Sequence, residues 1–144
     1  MKKIKICIAA ILIGMTALAT FTSCKKGSDN PIVSLRTRKD RFTNIWTLTK
    51  YEKNGSSQDM LGTTYTYTAN NNGTLTQVVE GSIFGFATRT TRQGTWAFLN
   101  DDEDVKITFD NDVTIYNIQR LATKELWLKK TVSDDTYVYY FSGL

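Results

Sequence analysis

The sequence contains no histidine, so the route left to hydrolysis in this chain is a pair of carboxylates. That removes Ser-His-Asp and Cys-His nucleophilic arrangements and any His-ligated zinc site. Neither a Cys-x-x-Cys spacing, a phosphate-binding glycine loop nor a dinucleotide fingerprint occurs. Hydrolysis by a carboxylate pair needs one acid raised in pKa by burial beside a second that stays ionised. The acids here fall mostly at expected turns: Asp101, Asp102, Glu103, Asp104, Asp110, Asp112, Asp134 and Asp135. Solvated carboxylates of that kind lack the required shift. Glu52, Glu80 and Glu125 lie in or beside strands and read as residues of the exposed face. Calcium needs about six converging oxygens. The acidic turns 101–104 and 110–112 lack the Asp-x-Asp-x-Asp-Gly spacing, and successive hairpins would put them at opposite ends. The expectation is therefore no enzyme, no metal site and no cofactor, with charged turn tips that discourage edge aggregation.

The aromatic residues offer a second kind of chemistry. Seven Tyr, seven Phe and three Trp make up 12% of the chain. Trp46, Tyr65, Tyr67, Trp96, Phe98, Tyr116, Trp127, Tyr139 and Phe141 are candidates for a shared interior. Plain core packing is the commonest use of such residues. The functional use is a partly open cavity, where hydroxyls orient a hydrophobic or sugar-like ligand and rings stack on it. Tyr65 and Tyr67, on one strand face, lead the ligand-binding candidates, followed by Trp96, Phe98, Tyr116 and Tyr139.

The elements that would position these groups are short strands. Ile45 to Lys53 alternates, and Asn54-Gly55 supplies a hairpin turn signal. Thr63 to Ala69 has period two, and Asn70 to Gly73 tolerates the positive φ of a turn. Strands are expected over 74–80, 83–91, 95–99, 105–109, 113–119, 125–132 and 137–141. Gly85, inside the second of these, suggests a bulge or bend. Eight or nine strands with short connections argue an all-β, antiparallel up-and-down meander that removes its edges by closing into a barrel. Such a barrel is either filled by side chains or holds one small ligand. The segment 32–42 clusters Arg36, Arg38, Lys39 and Arg41 without a continuous apolar stripe. A solvated extension suits it better than a short helix over one end of the domain.

The amino-terminal segment carries an address. Met1-Lys2-Lys3-Ile4-Lys5 is followed by apolar Ile6 to Leu18 and by small residues up to Cys24, the parts of a secretory signal. A transmembrane helix needs about 20 mostly apolar residues, more than Ile6 to Phe21 provides. Phe21-Thr22-Ser23-Cys24 resembles a bacterial lipoprotein signal, which implies lipidation of Cys24 and removal of residues 1–23. The other cysteine, Cys7, would leave with that segment, so no disulfide could form within the mature chain. Removing 23 of the 144 residues leaves 121, one domain of ordinary size. Lys2, Lys3 and Lys5 leave too, so 15 of the 18 basic groups face 14 acidic ones. The net charge falls from +4 to about +1. That argues against a nucleic-acid partner. The organisation expected is a signal at 1–23, a lipidated and flexible polar tether at 24–43 and a barrel domain at 44–144.

From Trp46 to the end the order of signals resembles the lipocalin-like domains of bacterial envelope lipoproteins. The residues carrying this are Asn44-Ile45-Trp46 with Leu48-Thr49, Tyr65-Thr66-Tyr67, Gly94-Thr95-Trp96, Tyr116-Asn117-Ile118 with Leu121, and Leu126-Trp127-Leu128. Members usually have glycine where Asn44 stands. The resemblance implies a barrel with an internal cavity and no catalysis. The expected function is an outer-membrane lipoprotein, anchored by lipid, that binds a small hydrophobic or amphipathic ligand. The other class open to it is a filled barrel acting as a structural module for an envelope protein partner.

Overall fold

The computed structural model describes residues 35–144; the expected signal, Cys24 and the first part of the tether lie outside them. A five-residue helix, α1 (Arg38–Phe42), leads into nine strands. These are β1 (Ile45–Lys53), β2 (Ser56–Gln58), β3 (Thr64–Ala69), β4 (Thr74–Ile83) and β5 (Phe86–Leu99). β6 (Asp104–Phe109), β7 (Asp112–Leu121), β8 (Glu125–Val132) and β9 (Asp135–Gly143) follow. Every pairing is antiparallel, each strand from β3 onward pairs with the next, and β9 returns to β1 across Trp46↔Gly143 to Lys53↔Tyr137. Eight strands thus close a barrel, and β2 is a short flap hairpinned onto the end of β1. The closed, antiparallel barrel is the fold expected from the spacing of turns.

One end of the barrel is sealed. Its interior holds Trp46, Leu75, Val105, Leu121 and Leu126, with Phe42 of α1 inserted among them. The Phe42 ring lies 4.6 Å from that of Trp96 and 5.4 Å from that of Phe98. Both indole N–H groups at this end find carbonyls: Trp46 Nε1 donates to Phe42 O at 2.9 Å and Trp96 Nε1 to Asn70 O at 3.0 Å. A buried indole without such a partner would be costly.

The segment before β1 departs from the expected solvated extension. Thr37 caps α1 by accepting from Asp40 N, while Asp40 accepts from Thr37 N, a reciprocal capping box. The Thr37 hydroxyl, donating to Asp40 Oδ2 at 2.7 Å, and then the Thr37 backbone N–H hold the Asp40 carboxyl below its ordinary pKa. One turn so stabilised is enough to deliver Phe42 to the base. Asn44 ties the start of β1 to two distant segments: its Nδ2 donates to Thr123 O at 3.1 Å and Leu144 O at 3.3 Å.

A second departure concerns β4 and β5. Gly85 does not bend a strand; Phe84 (φ 51°) and Gly85 (φ 83°) form the two-residue turn between Ile83 and Phe86. Phe86 to Leu99 is one continuous strand where two were expected. Phenylalanine rarely takes a left-handed conformation, so the residue gave no turn signal. The β4–β5 ribbon also outruns its neighbours, since β6 pairs with β5 only from Gly94 onward.

Candidate functional site

Inside the barrel, above the packed base, lies a cavity of about 630 Å³. Its inner wall is aliphatic and aromatic, with Leu75, Ile107, Leu126, Leu128 and Phe141. Its outer end reaches Asn111 and Asp112 in the turn between β6 and β7, so the cavity opens at the end opposite α1. Polar side chains enter it above that floor: Tyr67, Gln77, Arg92, Thr114, Tyr116 and Tyr139.

Strand parity explains this lining. On β4, Leu75 and Gln77 share the inward face; on β7, Thr114 and Tyr116; on β9, Tyr139 and Phe141. Gly94 faces inward beneath the Phe109 ring, and a Cβ there would lie 2.3 Å from Thr108 O and 2.6 Å from Phe109 Cδ1. Glycine at that position lets Phe109 cross the wall. The Phe109 ring in turn carries the Arg92 guanidinium 4.9 Å from its centroid.

The structure brings together three of the six expected ligand-binding residues, Tyr67, Tyr116 and Tyr139, on the cavity wall. Trp96 and Phe98 instead pack with Phe42 at the sealed base, and Tyr65 is half-buried against the core without lining the cavity. Trp127, counted with the interior aromatics, lies on the opposite face of β8 from Leu126 and Leu128. There it packs on Tyr140 and under Arg120. Arg92 and Gln77 were missed. Counting back by twos from Trp96 along an unbroken β5 would have placed Arg92 inside; splitting that strand hid it.

Electrostatics distinguish this wall. Gln77 Nε2 donates to the Tyr67 hydroxyl at 2.6 Å, and the Tyr116 and Tyr139 rings meet edge to face at 5.8 Å. Burial, and then the proximity of Tyr67 and Tyr139, push the Tyr116 phenol far above its ordinary pKa. Burial first, with Tyr67 and other phenols beside it, pushes Tyr139 up to about 12, and burial raises Tyr67 as well. All three are neutral donors at physiological pH. Because folding raises these pKa values, the neutral phenols favour the fold fully below pH ~10, and that support is lost as pH rises through the folded values. A tyrosinate absorbance titration is expected to show Tyr116 and Tyr139 ionising last, with unfolding stability declining between about pH 10 and 12. A single ionisation step near pH 10 for all seven tyrosines, with the fold intact, would contradict it.

The carboxylates sit elsewhere. Glu52 accepts from Tyr140 Oη at 2.8 Å and pairs with Lys50 at 2.6 Å on the outer face; Glu80 and Glu125 pair with Arg89 and Arg120, each at 2.7 Å. Asp112 is the acid that reaches the cavity, at its rim, where it and Asp110 flank Arg92. Among the described residues no cluster of three or more acids, cysteines or histidines is placed to hold a metal ion.

No protein-family model matches the chain, and no curated protein matches it. Among solved structures, a lipocalin-like protein from Bacteroides uniformis matches 72% of this chain and 99% of its own, with a TM-score of 0.53 and 14% identity. At that identity the likeness speaks to the fold, which is a lipocalin-like barrel.

Proposed function

We propose that this chain is an envelope lipoprotein, tethered by lipid on Cys24, whose barrel takes up a small hydrophobic or amphipathic molecule and does no catalysis. The cavity carries the reading. At about 630 Å³ it falls in the range of small-molecule sites, and it combines an apolar floor with a few polar groups above it. A barrel serving only as a filled structural module has no use for that space. The first described element, α1, sits at the sealed end of the barrel, opposite the mouth.

Trp46 lines the cavity floor and reports on it. Titration with lipids, steroids and glycans is expected to change tryptophan fluorescence saturably for at least one class. Silence across all three would sink the ligand-binding reading. Anchoring is tested separately by mass spectrometry of the protein from its native membrane: a chain that begins at an acylated Cys24 is expected. Finding residues 1–23 still attached and the thiol bare would overturn that part.

A further inference from the structure

The polar groups of the cavity differ in what they can offer a ligand. Tyr67 already accepts a hydrogen bond from Gln77, which leaves its own hydroxyl proton to be donated elsewhere. Tyr116 has the Thr114 hydroxyl as its hydrogen-bond partner, and among the described residues no hydrogen bond engages the Tyr139 hydroxyl. Arg92 is a donor only. Its contacts with Asp110 and Asp112, at 3.3 and 3.5 Å, both use Nη2, so Nε and Nη1 have no carboxylate partner. Those two acids are 80% and 86% exposed, where solvent screens an ion pair to a small fraction of its strength. A second cation shares the interior face, since Lys130 has the same parity on β8 as Leu126 and Leu128. Lys130 Nζ lies 5.7 Å from the Tyr116 and Tyr139 ring centroids and 5.8 Å from that of Tyr137, with no carboxylate within 4 Å among the described residues. Below the rim, where Asn111 and Asp112 stand, the wall offers more protons to donate than acceptors, and the floor is apolar.

We propose that the ligand is an apolar body ending in one carboxylate, seated with its oxygens among Arg92 and the hydroxyls of Tyr67, Tyr116 and Tyr139. This rests on the cavity being a ligand site. A carboxylate is acceptor-only and can take four or so donated hydrogen bonds, matching what these residues leave unused. Charge-assisted hydrogen bonds of this kind are shorter and stronger than neutral ones; Arg92 is itself 39% exposed, so the more deeply buried tyrosine hydroxyls supply the drier part of the seat. The aliphatic floor formed by Leu75, Ile107, Leu126 and Leu128 would receive the apolar body.

The test compares acids with their neutral esters at pH 7 by calorimetry on the folded barrel: dodecanoate against methyl dodecanoate, and cholanoate against methyl cholanoate. The first pair probes a single chain and the second a steroid body. For the body that fits, the acid is expected to bind at least about tenfold more tightly than the ester. Arg92→Gln is expected to shrink that ratio to below about threefold while ester affinity stays the same, and Tyr116→Phe to shrink it less. Equal binding of acid and ester by the unaltered protein would overturn the carboxylate while leaving the ligand site standing. A full acid preference in folded Arg92→Gln would also overturn it. Binding of none of the four compounds, with no fluorescence response to any other class, would remove both.

Discussion

Phe42→Ala and Trp46→Ala are each expected to cost about 3–5 kcal/mol of unfolding free energy, the loss typical of a large buried aromatic. Small domains have about 5–15 kcal/mol in total, so either change brings the barrel near its limit. Phe42 is 2% exposed and Trp46 1%. The two are coupled: Trp46 Nε1 donates to the Phe42 carbonyl, which fixes the last residue of α1 over the indole. Phe42 then packs against both the Trp96 and Phe98 rings, which meet each other edge to face at 5.3 Å. Truncating it leaves a void that strands cannot relax to fill, because the barrel is closed by hydrogen bonds all the way round. The void would also join the base to the cavity above. Urea and thermal melts measure the effect, with a Tm drop well over about 10 °C expected. Trp127→Ala, on the outer face, serves as the contrast and is expected to cost far less. A loss below about 1 kcal/mol for Phe42→Ala would show that α1 merely rests on the barrel and does not seal it.

The barrel was readable from the sequence because its turns announce themselves. Asn54-Gly55, Asn70 to Gly73 and the acidic tips at 100–103 and 110–112 each combine polar residues with positive φ, and the strands between them alternate. Where a turn used the wrong residue the reading failed. Phe84 sits in a left-handed conformation that asparagine or glycine would signal, so β4 and β5 were cut in the wrong places and Arg92 lost its inward parity. Alternation along a strand also says which face a residue shares, but not at what height along the axis. Trp96 and Phe98 do face inward, yet they lie at the end that α1 plugs. Tyr67, Tyr116 and Tyr139 face the same interior nearer the mouth, where no side chain fills the space. That difference is set by a five-residue helix too short for any apolar stripe, and only the packed structure reveals it. Gln77 went unnoticed, and Gly94 was legible only as part of Gly94-Thr95-Trp96 without its packing role, for a similar reason. Each matters through one neighbour, Tyr67 for the amide and Phe109 for the glycine, which the sequence holds 10 and 15 positions away.

Filling the cavity should separate stability from binding. Ile107 is buried, faces the interior opposite Trp96 and lines the floor of the cavity. In Ile107→Trp the added indole has open space to enter, so the strain of about 1–3 kcal/mol that overpacking causes in a filled core should be largely avoided. Its volume is taken from the space a ligand needs. The variant is expected to keep its Tm within a few degrees of the unaltered protein and to lose at least about tenfold in affinity for whichever compound binds. Ile107→Ala should show the reverse pattern. It removes buried methylenes and costs about 2–5 kcal/mol, while the enlarged cavity still admits the ligand. Melting curves and binding titrations on the two variants give four numbers, and the crossed pattern is hard to produce any other way. If Ile107→Trp bound as tightly as the parent, the ligand would have to sit outside the barrel, and the cavity would be left without a role.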